Sequence, residues 1–119
     1  MSELRFEETR QGDVLIVAVH GEIGITASSA FQKKLAALVA AGETRLILDL
    51  EKTSYITSSG LGAISQAAKD IRQKGGTLCL ARVHYLSREV MTFFGLMPIV
   101  NICDDIDDAL SLLTKTPKR

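Results

Sequence analysis

The chain has no excess of charge of either sign. Its 119 residues carry 14 Lys and Arg against 14 Asp and Glu. A protein that grips a nucleic-acid backbone needs a basic excess on one face, so that class is disfavoured. Long apolar runs are also missing. The longest, Leu35 to Ala41, falls far short of the roughly 20 residues that span a bilayer. The segment Met1 to Glu8 is charged and has no apolar core of a secretory signal, so the expected location is the cytoplasm. Cysteine is scarce. Cys79 and Cys103 each lie inside an apolar stretch, where a thiol in a reducing compartment behaves as a small buried hydrophobe. No CxxC occurs, and His20 and His84 are not spaced as ligands beside them, so no metal or other cofactor is expected.

Linkers, repeats and low-complexity segments are absent too. With 46% hydrophobic and 24% charged residues, the composition is that of an ordinary globular domain. One domain is expected over residues 1–115, followed by a loose tail, Thr116-Pro117-Lys118-Arg119.

Enzyme signatures are missing as well. There is no Gly-x-x-x-x-Gly-Lys loop and no Gly-x-Ser-x-Gly elbow, and Gly21-Glu22-Ile23-Gly24 lacks the third glycine of a dinucleotide fingerprint. His20 and His84 have no spacing that ties either to a serine. The acidic run Asp104-Asp105-Ile106-Asp107-Asp108 lacks the glycine and alternation of a calcium loop. It reads instead as carboxylates favoured in a helix's first turn.

What is present is an alternation of strand and helix patterns. Leu4 and Phe6 alternate with charges, Gln11-Gly12-Asp13 is a turn, and Val14 to Val19 is a buried strand, which together predict an antiparallel hairpin. Phe31, Leu35, Leu38 and Val39 share a helical face, with Thr26 or a nearby Ser as its cap and Gly42 at its end. Arg45 to Leu50 is a strand. Thr57-Ser58-Ser59-Gly60 opens a helix with Leu61, Ile64, Ala68 and Ile71 inward, closed by Gly75-Gly76. Thr77 to Ala81 is a strand, and Ser87 starts a helix carrying Val90, Phe93 and Phe94 that Gly95 closes. Ile99 to Ile102 is a last strand. Asp104-Asp105 then caps a helix with Ile106, Ala109, Leu110 and Leu113 on one face. Strands separated by helices pair in parallel through right-handed crossovers. The expected fold is therefore α/β: a small mixed sheet, an N-terminal hairpin plus parallel strands, covered by about four helices.

Two segments stand out as candidate sites. In Thr57-Ser58-Ser59-Gly60-Leu61-Gly62, three hydroxyls meet a helix start where one would serve as a cap worth about 1 kcal/mol. Gly60 and Gly62 weaken that first turn by up to about 1 kcal/mol each, and one return is close access of another chain to the backbone. The second segment is Gly21-Glu22-Ile23-Gly24-Ile25-Thr26-Ala27. Both precede a helix after a strand, and in a parallel sheet such loops gather at one edge. The two together make a surface rather than a pocket.

These residues resemble the STAS domain family, and within it the single-domain bacterial anti-sigma factor antagonists. The resemblance rests on Gly21-Glu22-Ile23 with Thr26-Ala27, Leu46-Ile47-Leu48-Asp49-Leu50, Ser58-Ser59-Gly60-Leu61-Gly62, Gly75-Gly76 and Phe94-Gly95-Leu96. It implies the STAS fold, no enzymatic activity, and a switch in transcription regulation by partner exchange. The antagonist binds an anti-sigma factor that is also a serine kinase, is phosphorylated by it and lets go, and a metal-dependent serine phosphatase removes the mark. By position Ser58 is the implied acceptor, with Thr57 and Ser59 as additional candidates. The implied partner surface is Gly21, Glu22, Ile23, Gly24 and Thr26 with Thr57, Ser58, Ser59, Gly60, Leu61 and Gly62. Two positions depart from the family pattern. Thr57 and Gly24 stand where it carries Asp. The alternative they suggest is a constitutive STAS subunit of a lipid-transport or signalling assembly, with no phospho-control. A hydrolase with Ser58 as nucleophile lacks a base placed by sequence.

Overall fold

The structure is a computed structural model and describes residues 4–93, 95 and 100–115. Strand β1 (Arg5–Gln11) turns at Gly12 and pairs antiparallel with β2 (Val14–His20), which gives the predicted hairpin. Helix α1 (Ser28–Ala40), β3 (Arg45–Asp49), α2 (Ser58–Gln73), β4 (Thr77–Ala81), α3 (Tyr85–Phe93), β5 (Asn101–Cys103) and α4 (Ile106–Lys115) follow in order. The sheet runs β1-β2-β3-β4-β5, with every pair after the hairpin parallel. This is the expected α/β architecture, with five strands and four helices.

The order has a geometric consequence. Each strand–helix–strand unit steps to the next strand on the same side, and right-handed crossovers stepping one way put their helices on one face. The side chains agree. Leu15, Val17, Leu46, Leu48, Leu78 and Leu80 point toward Phe31, Leu35, Ile64, Ile71 and Met91 of α1, α2 and α3 in one core. Among the described residues, the alternate residues Val14, Ile16, Ile47, Cys79 and Ala81 pack with Ala109 and Leu113 of α4, with Cys103, Ile106 and Leu110 at the margin. Both faces of β3 and β4 are thus buried, which is why they read as continuous apolar runs.

Five local expectations need correction. Thr26 does not cap α1. The N-cap position is Ala27, which makes no side-chain bond, and the chain is held by Ser28 N–H on the Gly24 carbonyl at 2.9 Å, while the Ser28 hydroxyl donates back to Ile25 O. Helix α3 begins at Tyr85, not Ser87. Ser87 and Met91, four apart, face inward, and Val90 is 40% exposed. The side chain of Phe93 and all of Phe94 lie outside the described residues. Strand β5 is Asn101–Cys103, set by the pairing Cys79↔Asn101 and Ala81↔Cys103, while Ile99 lies outside the described residues. Strand β3 ends at Asp49, one residue before Leu50, with Asp49↔Ala81 as its last pair, although Leu50 N–H still donates to Ala81 O. At the last helix Asp105 alone supplies the side-chain cap, accepting from Asp108 N–H at 2.8 Å.

Three glycines of α2 and its exit have different reasons. A Cβ on Gly60 would meet side-chain carbons of Ile23 and Ile56 at 2.8 Å, so close packing within the chain accounts for this glycine. On Gly76 it would fall 2.1 Å from the Thr44 carbonyl oxygen. On Gly62 it would meet nothing within 4 Å. Gly62→Ala should therefore stabilise the protein by up to about 1 kcal/mol through helix propensity. Gly60→Ala and Gly76→Ala should destabilise it by about 1–3 kcal/mol, with Gly76 the worse because backbone cannot yield. Urea unfolding of the three variants checks the order.

Cys79 and Cys103 are both free thiols, packed together on the α4 face of β4 and β5. Burial, then the neighbouring Cys103, pushes the Cys79 thiol up to about 12. Since the folded state disfavours the thiolate, stability should be full below about pH 9 and fall as pH rises toward 12. Denaturation midpoints across pH 8–11, steeper for the natural chain than for Cys79→Ala, check the sign. Cys79 should also resist alkylation in the folded protein at pH 8.

Candidate functional site

The two candidate loops lie side by side because β2 and β3 are neighbours. Beyond the strand ends the pairing continues as an isolated parallel bridge between Ile23 and Ile56. Ile23 N–H donates to Tyr55 O at 2.9 Å, and Thr57 N–H donates to Ile23 O at 2.9 Å. Gly21 N–H donates to Lys52 O at 3.2 Å, with Gly21 at φ 122°, a conformation that suits a residue without Cβ. Thr53 is buried, and its hydroxyl donates to Val19 O at 2.9 Å, pinning the β3 exit to the end of β2. Ser54 donates to Glu22 Oε2 at 2.7 Å. These bonds make the two loops one continuous surface at the C-terminal edge of the sheet.

Residue by residue, the predicted set divides into a surface and a support. Ser58, Ser59, Gly62, Glu22 and Thr26 are exposed, and Gly21, Gly24 and Thr57 are half-buried. Ile23, Gly60 and Leu61 are buried, so they hold the surface from beneath instead of presenting side chains on it. Ile23 and Ile56 lie directly under Gly60, which presses the first turn of α2 onto the bridge.

The three hydroxyls have separate duties. Thr57 is the N-cap of α2, with φ −72° and ψ 167°, and its Oγ1 accepts from Gly60 N–H at 3.2 Å. The Thr57 carbonyl accepts the first helical bond, from Leu61 N–H at 2.9 Å. With the cap supplied, Ser58 at the first helical position has no structural bond to make. Its hydroxyl and the N–H groups of Ser58 and Ser59 find no partner among the described residues. The first turn of α2 holds no acidic residue, so the positive end of the helix is not offset by its own side chains. Ser59 turns toward α1 and lines a cavity of about 390 Å³ with Gln32, Ala36, Gly62 and Gln66.

Around this hydroxyl the edge carries groups that no motif announces. Arg82, at φ 57°, closes β4 and donates to both carboxylate oxygens of Asp49, at 3.1 and 2.6 Å, with Glu51 at 3.3 Å. The bond to Asp49 holds the Arg82 guanidinium above its ordinary pKa. Ile25, Tyr55, Tyr85 and Leu86 are large apolar side chains left exposed. Ile25 lies in the loop segment that stands out in the sequence, whereas Tyr55, Tyr85 and Leu86 belong to no motif there. His20 Nε2 is taken up by Glu7 Oε1 at 2.7 Å on the hairpin. His84 is exposed in the loop before α3. Among the described residues no group of three or more His, Cys, Asp or Glu stands close enough to hold a metal ion, and no helix is long and apolar enough to cross a membrane.

Comparison with known proteins follows this geometry. The STAS domain family model matches residues 5–109. A Bordetella bronchiseptica protein with the provisional name anti-sigma factor antagonist BtrV is 32% identical over 96 residues, 81% of this chain and 83% of its own. The crystal structure of a Thermotoga maritima protein, provisionally named an anti-sigma factor antagonist, superposes with a TM-score of 0.87 at 26% identity, over 92% of this chain and 95% of that one. The Bacillus cell fate determinant SpoIIAA in its phosphorylated form shares the fold, with a TM-score of 0.69 at 21% identity, over 91% of this chain and 98% of that one. With a match over nearly its whole length and the strand and helix order to go with it, the chain belongs to the STAS domain family.

Proposed function

We propose that this chain is an anti-sigma factor antagonist that acts by binding and not by catalysis, and that phosphorylation of Ser58 switches its docking off. The partner is an anti-sigma factor that is also a serine kinase. A metal-dependent serine phosphatase restores the binding form, and the exchange takes place in the cytoplasm, where it sets sigma-factor availability. The observation that carries this reading is the exposed Ser58 hydroxyl at the first position of α2, relieved of capping duty by Thr57. Thr57 is the poorer acceptor, because modifying it would cost the helix its cap. Ser59 is exposed but turned toward the α1 side. The relatives' names support the antagonist reading, and SpoIIAA, one of the proteins that share this fold, has a phosphorylated form.

Physical chemistry accounts for a switch without rearrangement. A phosphate adds about −1.5 to −2 charges and three acceptor oxygens. At a helix N-terminus that charge is favourable to the protein carrying it, by about 0.3–1 kcal/mol per unit at an exposed site. The fold survives, and the effect falls on the partner. A like-charge pair about 5 Å apart at an effective dielectric near 20 repels by roughly 3 kcal/mol, which is about a hundredfold in affinity.

Incubation with the cognate anti-sigma factor kinase and ATP should place one phosphate on Ser58, read by mass spectrometry, and none on Ser58→Ala. In titration calorimetry Ser58→Ala should bind the anti-sigma factor within about threefold of the natural chain. Ser58→Asp should bind about tenfold or more weakly at an unchanged Tm. A stable complex indifferent to both substitutions and to phosphorylation would instead identify a constitutive STAS subunit.

A further inference from the structure

We infer that Gly24 and Gly62 are specificity-determining positions of the Ser58 acceptor site, kept bare so that a phosphoryl-transferring enzyme can close over a hydroxyl that stands little above the backbone. The inference rests on the reading of Ser58 as the acceptor.

The glycines carry it. The chain has nine. Five of them, Gly12, Gly21, Gly42, Gly75 and Gly95, hold φ values between 62° and 122°, where a side chain is strained. Gly60 and Gly76 are pressed against Ile23, Ile56 and Thr44. The fold asks for those seven. It does not ask for Gly24 or Gly62. Neither has a positive φ, and a Cβ on either would meet nothing within 4 Å. A glycine at such a position costs the folded state backbone entropy, so a larger residue would stabilise the protein.

The two glycines that the fold leaves unexplained stand on either side of Ser58. Gly62 is four residues on from Ser58 in α2, one turn along the same helical face. Gly24 follows Ile23, whose carbonyl accepts from Thr57 N–H at 2.9 Å, so it lies across the Ile23–Ile56 bridge from the start of α2. Ser58 and Gly62 are exposed, and Gly24 is half-buried.

Phosphoryl transfer gives the bareness a purpose. Ser58 Oγ forms a bond to the γ-phosphorus of ATP as the bond from that phosphorus to the β–γ bridging oxygen breaks. ADP leaves, and the hydroxyl proton passes to a base on the enzyme. Such a step needs its reacting atoms about 3–3.5 Å apart and water kept out. A serine oxygen is only two bonds from its Cα, so the enzyme's wall must come down almost to the backbone around Ser58. A side chain longer than alanine's at either flanking position would stand at least as tall as the acceptor and hold that wall off. Thr57 does not interfere, because its Oγ1 is turned back onto Gly60 N–H.

The test is the rate of Ser58 phosphorylation in the full chain, with the cognate anti-sigma factor kinase and ATP. Gly24→Gln and Gly62→Gln should each lower kcat/KM by about tenfold or more, while Gly24→Ala and Gly62→Ala stay within about threefold of the natural chain. All four should keep a Tm no more than about 3 °C below that of the natural chain, or above it. Glutamine variants phosphorylated as fast as the natural chain would overturn the inference and leave the Ser58 reading standing. Alanine variants as slow as the glutamine ones would also overturn it, since clearance would not be the cause. A larger loss of Tm would do the same, because the fold itself would then need the glycine. A natural chain that takes no phosphate on Ser58 would sink the acceptor reading, and the inference with it.

Discussion

One packing contact positions the candidate site at the C-terminal edge of the sheet. Gly60, in the first turn of α2, lies against Ile23 and Ile56, the pair that carries β2–β3 pairing beyond the strand ends. A side chain of any size at Gly60 would lift the helix start away from the bridge. The contact therefore fixes the depth of α2, and with it the height at which Ser58 stands above the edge. Ile23 is fully buried for the same reason. It is the floor of the candidate site, and the exposed hydroxyls of Ser58 and Ser59 are part of its surface.

A division of labour among neighbours follows from that floor. Thr57 satisfies the helix end, so the next hydroxyl, on Ser58, has no capping bond to make. Thr53 and Ser54 spend their hydroxyls on Val19 and Glu22, holding the two loops together. Arg82 accepts an unfavourable backbone conformation to clasp Asp49 across β3 and β4. A strained residue held by a bidentate ion pair is the sort of local cost that a rigid edge requires. The result is an edge whose two loops are tied to each other and to the sheet by hydrogen bonds.

Much of this was open to reading from the residues. The hairpin, the parallel units and the inward faces of α2 and α4 follow from period and turn chemistry. Helix starts were less legible. Around α1 several hydroxyls compete, at Thr26, Ser28 and Ser29, and none wins, because the bridge at Ile23 settles how the chain approaches the helix. At α3 a serine normally favoured at a cap is drawn inside the helix, since rotating Met91 into the core carries Ser87, four residues earlier, inward with it.

The amino-acid order by itself determined the element types, the single mixed sheet and the hydroxyl cluster at a helix start, because these depend on neighbours within a few residues. Only the tertiary structure decided which hydroxyl caps and which stands open, why Gly60 and Gly62 differ, and that Ile25, Tyr55, Tyr85 and Leu86 share one edge. Those outcomes depend on distances between segments far apart in the chain. Such distances are fixed by strand order and by the depth to which α2 packs, and no local pattern encodes either.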